Sequence, residues 1–262
     1  MKREKLKEAN KNKAMQEGGA ILSKIRRTIE NAIAPGIKLI QLNELAEKRI
    51  EKAGGKPSFK MVPGYGFSTC ITVNEGVVHG IPTKQKIRDG DLVSIDMGLY
   101  YQGFHTDAAT TVIAGKPSRK DLKFLEVGKQ ALKKAIRKAI AGNYIGDISR
   151  AIQSTVESAG YTCSRTLTGH GIGGKLHEEP PVPCVLTEEI RKTPILKKGQ
   201  TLAIEVIYTQ GSHELSLEDD RWTLITKDGK KAALFEETVL ITEKGPLVLT
   251  AEREKSPKYS GL

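Results

Sequence analysis

Two acidic residues set inside adjacent β-type runs constrain this chain more than any other feature of its 262 residues. Asp96 lies in the segment 91–99 and Asp107 in 104–113, both rich in β-branched residues that favour strands. Between them, Tyr101-Gln102-Gly103 is a tight-turn signal. A turn centred between Tyr101 and Gln102 predicts that Asp96 and Asp107 face each other across the ladder, with Cβ atoms about 4.5 to 5.5 Å apart on one face. Their neighbours Ile95, Met97, Ala108 and Ala109 predict burial. Two buried carboxylates so close repel each other and destabilise the strand pair. A cation resolves that conflict; one proton shared between the two is the alternative.

A second acidic set lies near the C-terminus. Glu205 sits in the strand-like run 202–207, and Glu236 in 233–240. A carboxylate in an apolar strand needs a partner. Glu237 alternates with Glu236 and is expected on the opposite face, at the surface. Between the two sets runs Thr168-Gly169-His170-Gly171-Ile172-Gly173-Gly174, whose glycines let backbone approach a crowded centre. His177 follows, before Glu178-Glu179-Pro180, and His79 falls in Val78-His79-Gly80-Ile81-Pro82. His105 and His213 read as structural or exposed. Four carboxylates and one imidazole form a mostly hard donor set that can hold two divalent cations and suits manganese, iron or cobalt better than a thiolate-rich structural zinc site would. Two metals about 3.5 to 4 Å apart trap a bridging hydroxide, a strong nucleophile at neutral pH.

The rest of the pattern predicts an α+β fold. Ile21, Ile25, Ile29 and Ile33 recur every four residues, marking an amphipathic helix that Pro35-Gly36 stops. Further helices are expected at 43–52, at 120–141, and from a cap at Asp147 to Ser158; strands at 69–78 (broken near Asn74-Glu75), 201–209, 222–226 and 232–242. The order helices, strands, helices, strands suggests two similar halves sharing one antiparallel sheet. Residues 1–16 read as a basic N-terminal arm or an extension of the first helix, 17–250 as the catalytic domain, and 251–262 as a polar tail.

Composition excludes several classes. No apolar run approaches the roughly 18 to 20 residues needed to span a bilayer, and the charged N-terminus lacks a secretory apolar stretch; a cytoplasmic, membrane-free protein is expected. Cys70, Cys163 and Cys184 are far apart and read as reduced structural thiols. The net charge is +11, of which residues 1–13 contribute +4 from six basic and two acidic side chains. A basic surface attracts polyanions without sequence preference, so weak association with the ribosome is a possible partner reading. No aromatic-basic interleaving or specific nucleic-acid motif accompanies the excess.

Taken in order, Asn74-Glu75 with His79-Gly80-Ile81-Pro82, Asp91-Leu92-Val93-Ser94-Ile95-Asp96, Gly103-Phe104-His105-Thr106-Asp107, Gly169-His170-Gly171-Ile172-Gly173, His177-Glu178-Glu179-Pro180 and Phe235-Glu236-Glu237-Thr238 resemble the type I methionine aminopeptidases. The likeness runs from about residue 18 to 249. It implies the pita-bread fold: two pseudo-symmetric halves with a curved antiparallel sheet covered by helices. It implies metal ligands at Asp96, Asp107, His170, Glu205 and Glu236, with Asp107 and Glu236 bridging two metals. It implies catalytic roles for His79, His177 and Glu205, and a methionine pocket lined by Tyr65, Cys70 and Trp222. It implies removal of the initiator methionine from nascent proteins when the second residue is small, by a monomeric enzyme. Val206, Gly174 and Leu176 depart from the family's usual proline, arginine and aromatic residue. Competing functions are a prolidase-like or aminopeptidase P-like hydrolase, a non-catalytic ribosome- or RNA-associated protein, and a two-metal phosphatase or nuclease.

Overall fold

The computed structural model describes the backbone of residues 2–251 and the side chains of residues 7–251. The expected tail therefore lies, beyond Ala251, outside the described residues.

Helix α1 spans Lys2–Ala32, so the basic N-terminal segment is drawn into it, and the isoleucine column gives the buried Ile25 and Ile29 alongside Leu22. Helix α2 (Leu39–Lys52) buries Leu39, Leu42, Ala46 and Ile50 at helical spacing. Strands β1 (Lys56–Pro57), β2 (Thr69–Val73) and β3 (Gly76–Val78) follow, with the expected break at Asn74, whose φ is +52°.

Strands β4 (Leu92–Tyr101) and β5 (Phe104–Ile113) form the expected hairpin, but in a different register. Tyr101 pairs with Phe104, and the loop is Gln102-Gly103, both at positive φ (+49° and +93°), as a two-residue turn that follows the strand twist requires. Asp96 therefore pairs with Ala109 and Asp107 with Gly98. The two aspartates share a face as diagonal neighbours rather than direct partners, because the glycine admits a turn one residue later than the symmetric placement.

The second half repeats the order. Helix α3 (Arg119–Ile136) starts at Ser118, whose hydroxyl accepts the Asp121 N–H at 3.0 Å. It ends five residues before the expected stop. Helix α4 (Ile145–Ser158) is capped at Tyr144; Asp147 is its third residue and accepts the Tyr144 N–H at 3.1 Å, rather than being the cap itself. Then come β6 (Thr162–Cys163), β7 (Thr168–Gly171), β8 (Glu178–Pro183), β9 (Thr201–Thr209), β10 (Leu215–Leu217), β11 (Leu224–Thr226), β12 (Ala232–Thr242) and β13 (Gly245–Val248).

One sheet has the order β1-β4-β2 with β5 beside β4; the other runs β13-β12-β9-β7-β8 with β6 beside β9. A small third sheet, β10-β11-β3, lies alongside. The two large sheets meet at β5 and β12 through threonines instead of a backbone ladder. Thr111 Oγ1 accepts the Leu234 N–H and donates to the Leu234 carbonyl, both at 2.9 Å. Thr238 does the same for Asp107, at 2.8 and 2.7 Å. This reciprocal stitch is the local form of the two-halves pattern.

Helices α1 and α2 cover one face of the first sheet, packing on Ile95, Met97, Leu99 and Ala108. Helices α3 and α4 pack over Val206, Tyr208 and Phe235 of the second. A Cβ on Gly128 of α3 would overlap Phe235 and Tyr208, so a glycine there permits the close approach. By strand alternation, Asp96, Asp107, Glu205 and Glu236 all project from the face the helices leave free.

Candidate metal centre

Glu205 and Glu236 are direct partners across the β9–β12 ladder. Asp96 and Asp107 come from the β4–β5 hairpin, and the Thr238 stitch fixes Asp107 beside β12. Thr238 lies two residues beyond Glu236 and so on the same face, the one signal in the sequence that could have marked it.

His170 arrives on β7, opposite Ala203 of β9. The glycines on either side of it are needed for the reason the sequence suggests, though the crowding is by backbone: a Cβ on Gly169 would overlap the Ala203 carbonyl, and one on Gly171 the Glu179 carbonyl. The His170 Nδ1 lies 2.8 Å from its neighbour Gly171's carbonyl oxygen, which assigns the proton to Nδ1 and leaves the Nε2 lone pair facing the acids. Nε2 is 3.7 Å from Glu205 Oε1. Ligand atoms of Asp107, His170 and Glu236 all lie within 4.8 Å of one another.

Electrostatics at this cluster favour a cation. Burial, reinforced by the Asp107 and Glu205 charges, raises the Asp96 carboxyl well above its ordinary range. Burial pushes Asp107 up to about 7. Glu205 is raised by burial and Asp107, and Glu236 by burial and then by Asp107, Glu205 and Asp96. Burial pulls His170 down to about 4, so its imidazole is neutral and free to coordinate. Asp96 Oδ1 and Glu236 Oε1 are buried without a hydrogen-bond partner among the described residues. Among those residues, too, none of the four acids is ion-paired to lysine or arginine; Arg26 binds Glu237 instead, on the helix-covered face, at 2.8 Å. Glu237 thus lies opposite Glu236 as expected, but half-buried in an ion pair rather than at the surface. Four acids without counter-ions, two orphaned oxygens and a neutral imidazole fit hard divalent cations.

The other expected site residues surround this cluster. His177 and His79 are both solvent-exposed, and His177 lines the cleft over the cluster. The His177 ring lies 4.5 Å from that of His170, edge-on, and desolvation lowers its pKa. His79 has left-handed backbone (φ +58°); its pKa is lowered by desolvation and by the His177 charge. A cleft of about 560 Å³ opens over His170, Lys175, His177, Glu178, Glu179 and Pro181.

Cys70 pairs with Asp96 across β2 and β4, placing the thiol between the acids and an apolar cluster. Tyr65 is buried in that cluster, its hydroxyl within 3.0 and 3.1 Å of the Thr69 and Gly80 carbonyls, and the Trp222 ring stands 5.0 Å from its own, edge-on. The β11–β3 pairing brings Trp222 beside the His79 loop, where Ile81 N–H donates to Thr223 Oγ1 at 3.3 Å. Phe59, Leu176 and Met15 belong to the same cluster; sequence reasoning did not assign Phe59 or Met15 there, since both lie outside any local motif. His105 is structural: buried, with Nδ1 2.9 Å from Ser58 Oγ and its ring against Tyr100.

The sequence pattern described as metallopeptidase family M24 matches residues 13–243. A methionine aminopeptidase of Aquifex aeolicus is 41% identical over 243 residues, covering 90% of this chain and 94% of that protein. Methionine aminopeptidase 1 of Bacillus subtilis is 42% identical over 236 residues, again 90% and 94%. The crystal structure of methionine aminopeptidase from Thermotoga maritima superposes with a TM-score of 0.89 at 39% identity, over 92% of this chain and 97% of that one. The prolidase from Pyrococcus furiosus shares the fold alone, with a TM-score of 0.75 at 24% identity, and this chain covers 64% of it. Among the described residues no helix is long and apolar enough to cross a membrane. Pattern, fold and acid cluster agree: this chain belongs to metallopeptidase family M24.

Proposed function

We propose that this protein is a methionine aminopeptidase that removes the N-terminal methionine from peptides and new proteins whose second residue is small. The observation that carries the reading is the junction at Cys70, where the unpaired acid cluster meets an apolar pocket of Tyr65, Cys70 and Trp222. The relatives' names support it. Prolidase-like cleavage is not favoured, because the prolidase likeness is one of fold.

Asp96, Asp107, His170, Glu205 and Glu236 would hold two divalent cations. When bound, such cations supply Lewis acidity toward a carbonyl and lower the pKa of coordinated water. The apolar pocket takes up the methionine side chain, whose flexible thioether suits a wall of aromatic rings and a thiol. That placement sets the scissile amide over the acids and within reach of the exposed His177 and His79. His177 Nε2–H donates to the carbonyl oxygen as negative charge develops on it. His79 contacts the scissile amide or its leaving nitrogen. Glu205, directly opposite Glu236 in the cluster, is placed to accept a proton from the attacking water and pass it to the leaving amine.

Mass spectrometry of Met-Ala-Ser, incubated with the protein and Mn, Fe or Co in turn, tests the reading. Loss of one methionine is expected with at least one metal, and none with Asp107→Asn; a Xaa-Pro peptide should stay intact. Cleavage of the Xaa-Pro peptide in place of Met-Ala-Ser would overturn it.

A further inference from the structure

Ser58 is fully buried at a junction of strand and loop, and its N–H donates to the Gly98 carbonyl at 3.0 Å. A Cβ on Gly98 would overlap the Ser58 side chain and crowd the Phe59 ring, so the glycine lets the chain at 58–59 lie directly on β4. Gly98 is the ladder partner of Asp107. His105 stands two residues before Asp107, on the same face of β5, and its Nδ1 lies 2.9 Å from Ser58 Oγ. Among the described residues this is the one side-chain hydrogen bond that Ser58 makes. The His105 ring is itself held against Tyr100, with centroids 4.7 Å apart.

From Ser58 the chain turns into the apolar pocket. Met61 N–H donates to the Ser58 carbonyl and Val62 N–H to that of Phe59, both at 3.0 Å, and Tyr65 N–H donates to the Val62 carbonyl at 3.1 Å. These turns deliver Phe59 and Tyr65 to the pocket, their rings edge-on and 6.5 Å apart. Trp222 closes on the same segment: its Cζ2 is 3.4 Å from where a Cβ on Gly64 would stand. An outer tie, Lys60 to Glu47, is a partly exposed ion pair of a kind worth little. A fully buried hydroxyl left without its partner pays its whole desolvation penalty, so the inner tie at Ser58 is the stronger of the two.

We propose that His105 is a positioning residue for the apolar pocket: its bond to Ser58 pins the 58–65 segment over Gly98, and so fixes the wall of Phe59 and Tyr65 against Trp222, beside the ladder position of Asp107. What the wall receives rests on the proposed function; the pin itself does not.

His105→Phe keeps a ring against Tyr100 and removes the bond. His105→Asn keeps the bond, because an amide atom takes the place of Nδ1 and can donate or accept. Ser58→Ala removes the bond from the other end with a smaller change of volume. Trp222 is the chain's only tryptophan, so its fluorescence reports this wall. In protein equilibrated with Mn, acrylamide quenching of Trp222 should be about twofold faster in His105→Phe and Ser58→Ala, and at the wild-type rate in His105→Asn. The Kd for free methionine, read from the same emission, should rise about tenfold in the first two variants and stay within about twofold of wild type in the third. On Met-Ala-Ser, KM should rise about tenfold in those two variants with kcat within about twofold, since a pocket wall holds ground state and transition state alike. Unchanged quenching in His105→Phe and Ser58→Ala, or an equal disturbance in His105→Asn, overturns the pin whether or not the protein cleaves peptides. Faster quenching with methionine Kd and KM unchanged overturns the positioning of the pocket. If the wild type neither binds methionine nor cleaves Met-Ala-Ser, the proposed function fails and the quenching result still judges the pin.

Discussion

The two large sheets solve one problem in two ways. In the β4–β5 hairpin the acids are short, and Asp96 and Asp107 stand on a diagonal across the ladder. In the β9–β12 pair the acids are longer, and Glu205 and Glu236 stand directly opposite. Direct partners have Cβ atoms about 4.5 to 5.5 Å apart, diagonal ones about 7 to 8 Å. The first pair is set by a two-residue turn; the second by strands that meet only after 22 intervening residues of loop and small sheet have folded. A local device places the ligands on one side and a global one places them on the other, and threonines 111 and 238 lock the two together. Each half brings like charges together, so neither is comfortable alone.

Substitution breaks the symmetry of this comparison most sharply at Asp107, the acid that both halves hold. Asp107→Asn should lower turnover of Met-Ala-Ser by about three orders of magnitude, measured by steady-state release of methionine, while far-ultraviolet circular dichroism stays native. A loss smaller than tenfold would mean that the β9–β12 half suffices.

Proton linkage comes next. The Asp107 carboxyl is pushed up to about 7, above its ordinary value near 4, so between those pH values the folded metal-free chain binds more protons than the unfolded one. The Asp107 contribution to stability in chelator therefore falls as pH rises from about 4 to about 7, and those of the raised acids Asp96, Glu205 and Glu236 run the same way, while the lowered His170 contributes in the opposite sense. The thermal midpoint of the wild type in chelator should drop relative to that of Asp107→Asn across this window, and saturating divalent cation should remove that relative drop. A wild type that gains on Asp107→Asn as pH rises in chelator would contradict the proton-holding acid.

Much of this site is legible in the sequence, and the misreadings have physical causes. Strand alternation around Asp96, Asp107, Glu205 and Glu236 is local, so which face each acid takes follows from its neighbours. Register depends on which residues can adopt positive φ, and Gln102 does so despite having no marked preference for it. Strand β8 escaped notice because Pro180, Pro181 and Pro183 argue against a strand; it is tolerated as the last strand on its sheet path, where missing donors cost least. Nothing local to residues 8–15 distinguishes a solvated arm from a helix pressed on a distant turn, since Gly199 and Ile172 are their partners only in the fold.

Opposite faces of one strand give the next contrast. Glu237→Gln breaks the half-buried pair with Arg26 on the helix side and should cost about 3 kcal/mol of stability in denaturant titration, yet leave the metal content of the protein unchanged. Loss of metal in that variant would show that the two faces are coupled. The smallest effect concerns the turn: Gln102→Asn should stabilise by about 1 kcal/mol, because asparagine tolerates the left-handed conformation better. Destabilisation would place the turn, and hence the aspartate register, elsewhere.

The most direct measurement is elemental analysis of the protein after equilibration with Mn, Fe or Co and removal of free ions. Two equivalents per chain are expected for the wild type, and one or none for Glu236→Gln, whose orphaned Oε1 is replaced by a neutral amide. A wild-type protein that stays metal-free under those conditions would contradict the account.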